Sequence, residues 1–183
     1  MVKAIIFVAA PACGKSTIAK ELEKKLNNAV IIEQDAFYDK TRADHEAYLE
    51  AIRKECKTKK RKSMHERVLL LCKNHHTQKQ RDLVIDILKE HNVKYYIVNL
   101  MPDNQDSSEV IETLIDRVEK RSLEKQDYAN GGSHFVMKSR KQAYYILKKG
   151  FIDTYEKPTE EFLQLDFMES VEENVKKILL YIK

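Results

Sequence analysis

The chain has 183 residues, of which 43% are hydrophobic and 34% charged, and its formal net charge is +4 at pH 7. A chain of this length and composition is expected to form one soluble domain over residues 1–183, which excludes a second full domain. No apolar run approaches the roughly 18 residues that cross a bilayer, and the amino terminus carries no secretory signal, so we expect a cytoplasmic protein with no membrane partner. Cys13, Cys56 and Cys72 are far apart and lack metal-site spacing, which predicts free thiols.

Helical and strand patterns alternate along the chain, which is typical of an α/β fold with a mainly parallel sheet. The apolar run Lys3–Ala10 predicts a central strand, and the spacing of Ile18, Leu22 and Leu26 predicts a helix over 15–27. Further strands are predicted at 29–33, 67–72, 93–101 and 162–167, and further helices at 42–63, 78–91, 113–121 and from 171 onward. These elements predict a sheet of about five strands with helices on both faces.

Positive charge is concentrated in residues 53–62 (RKECKTKKRK), where seven basic side chains accompany one acid. Such a run is commonly a solvated face, but it is also a candidate patch for a polyanion. Both interpretations are open at the level of the sequence.

Residues 8–17 (VAAPACGKST) follow the first strand and resemble a phosphate-binding loop in which Ala9 replaces the opening glycine. Backbone N–H groups and a helix N-terminus bind phosphate in such loops, a lysine reaches the outer phosphates, and a hydroxyl ligates Mg²⁺. The alanine matters only where a positive φ or a close approach is required. We therefore predict a nucleoside triphosphate donor with Mg²⁺, for which Ser16 is the metal ligand. The predicted nucleotide-binding residues of the loop are Ala12, Cys13, Gly14, Lys15, Ser16 and Thr17.

Asp35 follows the second predicted strand and is expected at the same edge of the sheet as the loop. There it is a candidate general base that accepts the proton of an attacking hydroxyl, while capping of the following helix is the alternative. The third strand ends at Cys72, where motor ATPases and GTPases carry a metal-binding aspartate. The sequence therefore favours a kinase over those two classes.

Arg117 and Arg121 are expected on one face of a helix that precedes a polar segment containing Gly131 and Gly132. This arrangement predicts a lid over about 117–138 whose arginines neutralise the transferring phosphoryl group. Solvated surface arginines are the alternative.

The sequence resembles, over nearly its whole length, the polynucleotide 5′-kinase domain of the fungal-type tRNA ligase and, more distantly, the kinase half of bacteriophage polynucleotide kinase. Residues 13–16 (CGKS) match the family's Cys-Gly-Lys-Thr loop, and 33–35 (EQD) match Gln-Asn-Asp, whose last residue is the general base. Residues 72–76 (CKNHH) correspond to Asp-Arg-Asn-Asn-His, and Arg117, Arg121 and His134 correspond to lid residues.

The resemblance implies a P-loop kinase that transfers the γ-phosphate of ATP or GTP to the 5′-hydroxyl of an RNA end, as in RNA repair or tRNA splicing with a separate RNA ligase. It implies catalytic roles for Lys15, Asp35 and Arg121, and nucleotide binding by Arg117, Arg121 and His134. The implied acceptor-binding residues are Tyr38, Lys73, Asn74, His76 and Arg81. Two alternatives stay open, namely a kinase of a small molecule or nucleoside and a nucleotide-dependent RNA-binding module without activity.

Overall fold

The computed structural model describes residues 2–39, 42–58, 66–126 and 139–183, with the backbone alone for 38–39, 42–43 and 121–126. The strands are β1 (Val2–Val8), β2 (Ala29–Glu33), β3 (Tyr38–Asp39), β4 (Arg42–Ala43), β5 (Arg67–Cys72), β6 (Lys94–Asn99) and β7 (Phe162–Gln164). The helices are α1 (Lys15–Lys25), α2 (His45–Lys57), α3 (Gln78–Glu90), α4 (Ser108–Gln126), α5 (Arg140–Leu147) and α6 (Val171–Tyr181). A 3₁₀ helix spans Gln34–Phe37, and a π-helical turn spans Lys148–Ile152.

Five parallel strands form the central sheet in the order β2-β5-β1-β6-β7, as the alternation of elements predicts. The central strand β1 is apolar along both faces because both are covered by helices. Its side chains alternate between two hydrophobic clusters, with Ile5 and Phe7 in one and Ala4, Ile6 and Val8 in the other, all without exposed surface. This packing fixes the loops at the carboxyl edge of the sheet, where binding sites of such folds lie.

The predicted strands 29–33 and 67–72 have the bounds of β2 and β5, and the predictions at 93–101 and 162–167 are shortened to β6 and β7. The polar helix predicted within 42–63 is the amphipathic α2, which buries Tyr48, Leu49 and Ile52. Asp44 caps this helix by accepting a hydrogen bond from the Ala47 amide at 2.9 Å. Helix α5 was not predicted, because its eight residues show too short a periodicity to be distinguished from a loop.

The three cysteines are free thiols, as predicted. Burial raises the pKa of Cys13 to about 11 and that of Cys72 to about 12, so both thiols are neutral near pH 7. Among the described residues, no helix combines the length and the apolar character that spanning a membrane requires.

Candidate active site

The loop between β1 and α1 tolerates alanine at position 9. Left-handed backbone occurs at Ala12, with φ 67°, and at Gly14, with φ 86°, but not at Ala9. Ala9 is fully buried, and its N–H donates to the carbonyl of Asn74 at 2.9 Å. The conformational freedom of glycine is therefore needed at the start of α1 and not at the end of β1.

Helix α1 begins without a side-chain cap. Its N-cap is Gly14, which has no side chain to accept from the first amides of the helix. The five other helices begin with a side-chain cap, namely α2 with Asp44, α3 with Thr77, α4 with Ser107, α5 with Ser139 and α6 with Ser170. The first amides of α1 and the positive end of its dipole are therefore available to an anion such as a phosphate.

A cavity of about 420 Å³, which we term the loop cavity, lies against this helix start. Residues 12–17 line it together with Lys20, Glu33, Asp35 and Arg117. The Arg117 guanidinium donates to the carbonyls of Phe167 at 3.2 Å and Ala12 at 3.4 Å, and it lies 5.1 Å from the centroid of the Phe167 ring. Three cations, Lys15, Lys20 and Arg117, thus line one cavity at the start of a helix. This is the electrostatic environment that a polyphosphate requires.

The Ser16 hydroxyl donates to a carboxylate oxygen of Glu33 at 2.5 Å. Glu33 ends β2 and stands directly beside Cys72, the last residue of the neighbouring strand β5. A carboxylate is therefore supplied from β2 at the place where Cys72 lacks one. The two oxygen donors fit Mg²⁺, which prefers hard oxygen ligands and uses few of them from the protein.

A second cavity, of about 510 Å³, adjoins the first at Asp35, which lines both. We term it the acceptor-side cavity. Apart from Asp35 it is lined by Gln34, His45, Lys73, Asn74, His76, Lys79, Gln80, Leu83, Gly150 and Phe151. The His76 and Phe151 rings lie 4.9 Å apart between centroids. The cavity thus combines apolar and aromatic walls with basic side chains.

The segment from Lys73 to Thr77 is tied to the loop by buried hydrogen bonds. His75 has no exposed surface, and burial lowers its pKa to about 3, so the ring is neutral. Its Nδ1 donates to the Phe7 carbonyl at 2.9 Å, and its Nε2 accepts from the Tyr48 hydroxyl at 3.3 Å. Arg81 in turn donates to the His75 carbonyl at 2.9 Å. These bonds fix the acceptor-side cavity relative to the loop.

The neutral, buried His75 makes folding stability depend on pH. An unfolded histidine has a pKa of about 6.5, so in acid the unfolded chain binds a proton that the folded chain excludes. The contribution of His75 is complete above about pH 6.5 and is lost as the pH falls toward 3, by about 1.4 kcal/mol per pH unit well below 6.5. Urea unfolding at pH 7, 6 and 5 measures how the free energy of unfolding changes with pH. In His75→Gln this change is expected to be weaker, because unfolding takes up about one proton fewer in acid. Identical slopes in the two proteins would contradict the role of His75.

Comparison with known proteins identifies the family. The family model of the tRNA ligase kinase domain matches residues 4–167. The chain belongs to the tRNA ligase kinase domain family. No curated protein matches the sequence.

Solved structures similar to this kinase domain include three other proteins. A fungal RNA kinase is 17% identical with a TM-score of 0.65, and the match covers 100% of this chain and 85% of that one. The APS kinase CysC of Mycobacterium tuberculosis is 15% identical with a TM-score of 0.61, covering 98% and 96%. A gluconokinase of Sinorhizobium meliloti is 16% identical with a TM-score of 0.60, covering 97% and 90%. These likenesses show the P-loop kinase fold that the sequence predicts.

The kinase domain brings most of the predicted site residues to the two cavities. The loop residues 12–17 and Arg117 line the loop cavity, Asp35 lines both cavities, and Lys73, Asn74 and His76 line the acceptor-side cavity. The helix-capping alternative for Asp35 is wrong for α2, which is capped by Asp44. His134, the side chains of Tyr38 and Arg121, and most of the predicted lid at 117–138 lie outside the described residues.

Arg81 does not line the acceptor-side cavity, although the sequence predicts acceptor binding. It has no exposed surface, and its guanidinium donates to the His75 carbonyl and, at 2.7 Å, to the Gln78 side chain. The sequence shows that an arginine follows the 72–76 motif but not which way it points. In the structure, Arg81 is buried beneath the segment that carries the cavity residues and stabilises it through the hydrogen bond to His75.

Two residues of the site were missed from the sequence. Glu33 reads as the end of a strand, and only its register with Cys72 and its hydrogen bond to Ser16 place it in the loop cavity. His45 is 28 residues from Lys73 along the chain, and only the folded chain brings its ring to the acceptor-side cavity. The Glu33-Gln34-Asp35 match was a signal for Glu33, whereas His45 had none.

Proposed function

We propose that this kinase domain transfers the γ-phosphate of a nucleoside triphosphate to the 5′-hydroxyl of an RNA end. The observation that carries the proposal is that Asp35 lines both the loop cavity and the acceptor-side cavity. A carboxylate at the junction of two cavities is where a base must stand to act between a donor and an acceptor. Membership of the tRNA ligase kinase domain family supports RNA as the acceptor.

The loop cavity holds the donor. The uncapped amides of α1 and the loop backbone bind the β- and γ-phosphates, and Lys15 neutralises charge that moves onto the phosphate oxygens. Ser16 and Glu33 would hold Mg²⁺, which supplies charge neutralisation on the phosphates when bound. Arg117 lies at the same cavity, and Arg121 and His134 act from the lid over 117–138.

The acceptor-side cavity holds the RNA end. Asp35 accepts the proton of the 5′-hydroxyl while that oxygen forms a bond to the γ-phosphorus, and the bond to the β–γ bridging oxygen breaks to release a nucleoside diphosphate. Phe151 and Leu83 offer an apolar surface for the terminal base. Lys73, Asn74, His76 and Tyr38 contribute to acceptor binding, and Arg81 supports them as a positioning residue.

A small-molecule acceptor is the main alternative because the fold is shared with proteins named as APS kinase and gluconokinase. The fungal RNA kinase and the family assignment favour RNA. The basic residues of α2, which belong to the run at 53–62, offer a surface for the rest of the RNA, while 59–62 lie outside the described residues. We further propose a cytoplasmic location and a separate RNA ligase that uses the 5′-phosphate formed.

Transfer of labelled γ-phosphate to defined acceptors tests the proposal. We expect a 5′-hydroxyl oligoribonucleotide to be labelled and the same oligonucleotide with a 5′-phosphate not to be, because the latter has no 5′-hydroxyl to attack. Running the assay with ATP, GTP, CTP and UTP identifies the donor, and a matched DNA acceptor tests the preference for RNA. Labelling of small alcohols with none of the oligonucleotide would instead favour the small-molecule kinase.

A further inference from the structure

Exposed apolar side chains are concentrated at and next to the acceptor-side cavity. In the described parts of the chain, five large hydrophobic side chains are exposed, namely Leu83, Tyr144, Tyr145, Met168 and Leu180. Leu83 lines the cavity, and both tyrosines lie in α5, whose π-helical continuation supplies two further residues of its wall. Single exposed apolar residues are ordinary, but a group of them beside a cavity indicates a contact surface.

Helix α5 presents basic and aromatic side chains to solvent. Ala143 and Leu147 are fully buried and define the side of the helix that faces the core. Lys141, Tyr145 and Lys149 follow one another at intervals of four residues on the exposed side, and Tyr145 is 66% exposed. We term these three residues the α5 stripe.

The solvent side of α5 keeps a positive charge. Lys149 donates to Asp153 at 2.6 Å, and Asp153 also accepts from Lys148. Lys148 additionally donates to Asp106 at 2.9 Å. Lys141 adds a third exposed cation at the other end of the stripe. Three lysines thus share two carboxylates, which leaves this side of the helix attractive to an anion.

The composition of the α5 stripe favours a nucleic acid over a protein as its partner. Lysine is depleted in protein interfaces, whereas an aromatic ring between two lysines offers a base-stacking surface with phosphate contacts beside it. Acidic side chains of the neighbouring helix α4 are paired with Arg140, at the start of α5, which neutralises part of their charge; they are Glu112, Asp116 and Glu119.

The α5 stripe lies close to the acceptor-side cavity along the chain. Lys149 directly precedes Gly150, a residue of the cavity wall, and Tyr145 lies about 7 Å from it along a helix axis at roughly 1.5 Å per residue. Two stacked nucleotides span about the same length, at roughly 3.4 Å each. The basic last turn of α2 begins at Lys54, about 13 Å along that helix from His45 at the cavity. The stripe is therefore the nearer surface for the nucleotides next to the terminal one.

We propose that the α5 stripe binds the single-stranded nucleotides that follow the acceptor's 5′-terminal nucleotide. The Tyr145 ring stacks on a base, and Lys141 and Lys149 contact phosphates on either side of it. This inference rests on the proposed function and adds a contact surface outside both cavities. Because every base can stack on a ring, the surface selects an unpaired strand of several nucleotides and not a particular sequence.

Transfer kinetics with a 5′-hydroxyl dinucleotide and a 5′-hydroxyl hexanucleotide of RNA test the proposal. In the wild type we expect kcat/KM to be larger for the hexanucleotide by on the order of tenfold, because only the longer strand reaches Tyr145. Tyr145→Ala is expected to raise KM for the hexanucleotide about tenfold more than for the dinucleotide, with little change in kcat. Tyr145→Phe keeps the ring and should stay within about twofold of the wild-type KM.

Lys141→Gln and Lys149→Gln test the phosphate contacts. Each is expected to weaken hexanucleotide binding and to reduce the salt dependence of log Kd by about 0.7 per decade of salt, the worth of one phosphate contact on a single strand. Leu180→Ala is the control for Tyr145, since Leu180 is 60% exposed on α6. Lys89→Gln is the control for the lysines, since Lys89 is exposed in the last turn of α3. Both controls should match the wild type in KM and in salt dependence.

Fluorescence anisotropy of a labelled hexanucleotide, measured without a donor, separates this inference from the proposed function. We expect about tenfold weaker binding by Tyr145→Ala, with an unchanged melting temperature because the side chain is mostly exposed. Hexanucleotide binding and length dependence that are equal in the wild type and Tyr145→Ala would overturn the α5 assignment in favour of a protein contact and leave the proposed function standing. Binding that depends on Tyr145, with no labelling of any acceptor, would support the α5 stripe and overturn the proposed function.

Discussion

Asp35→Asn is expected to lower kcat for phosphoryl transfer by two to four orders of magnitude, about the worth of a positioned general base. The amide has nearly the shape of the carboxylate but cannot accept the proton of the attacking hydroxyl. Because the loop cavity keeps its lysine, its hydroxyl and its helix start, nucleotide affinity should stay within about threefold of the wild type. Single-turnover transfer of labelled γ-phosphate and equilibrium nucleotide binding measure the two quantities separately.

Asp44→Asn is the matched control for this variant. Asp44 is an exposed carboxylate nine residues further along the chain, and its role is to cap α2. Asparagine caps helices as well as aspartate does, so neither stability nor kcat should change measurably. If Asp35→Asn retained full activity, the kinase mechanism would be wrong, and if neither protein transferred phosphate, the domain would be a nucleotide-dependent binding module.

Lys15→Met is expected to reduce kcat by about 10³-fold, because removal of a preorganised charge from a developing anion costs several kcal/mol. Unlike Asp35→Asn, this variant should also weaken nucleotide binding, since the lysine contacts the phosphates of the ground state as well. The same single-turnover assay at saturating donor isolates the loss in kcat, and a nucleotide titration gives the loss in affinity.

Lys24→Met controls for the removal of a lysine from the same helix. Lys24 lies in the last turn of α1, exposed and paired with Glu21 at 2.5 Å. An exposed pair of this kind contributes little, so the variant should match the wild type in both measurements. Transfer by Lys15→Met within tenfold of the wild-type rate would contradict the assignment of the loop cavity as the donor site.

The sequence predicted the central strands β1 and β5 well because they are buried on both faces. The apolar runs that became these strands cannot be solvated, and the glycine directly before Lys15 marks the junction where α1 starts without a side-chain cap. The short β3 and β4 and the eight-residue α5 carry no comparable pattern. In the structure β3 pairs with β4, and α5 packs against α4.

The sequence predicted those residues of the candidate site whose location follows from the order of strands and helices. It did not predict the residues whose location depends on the direction of a side chain or on contacts between distant segments. Lys15, Ser16 and Asp35 lie at ends of predicted strands and helices, so their meeting at one edge follows from the topology. Arg81 was expected beside them, but the turn of α3 directs it inward. His45 approaches from α2, and no spacing in the sequence relates it to Lys73.

The hydrogen bonds from Ala9 to Asn74 and from His75 to Phe7 join the carboxyl end of β1 to the segment from Lys73 to Thr77. Under the proposed function, these hydrogen bonds fix the separation between the donor and the acceptor within the backbone. Leu83 and Phe151 line the acceptor-side cavity and take part in neither hydrogen bond. Under the proposed function, substitutions of Leu83 or Phe151 are expected to change the preference for the acceptor while the distance between the two cavities stays fixed.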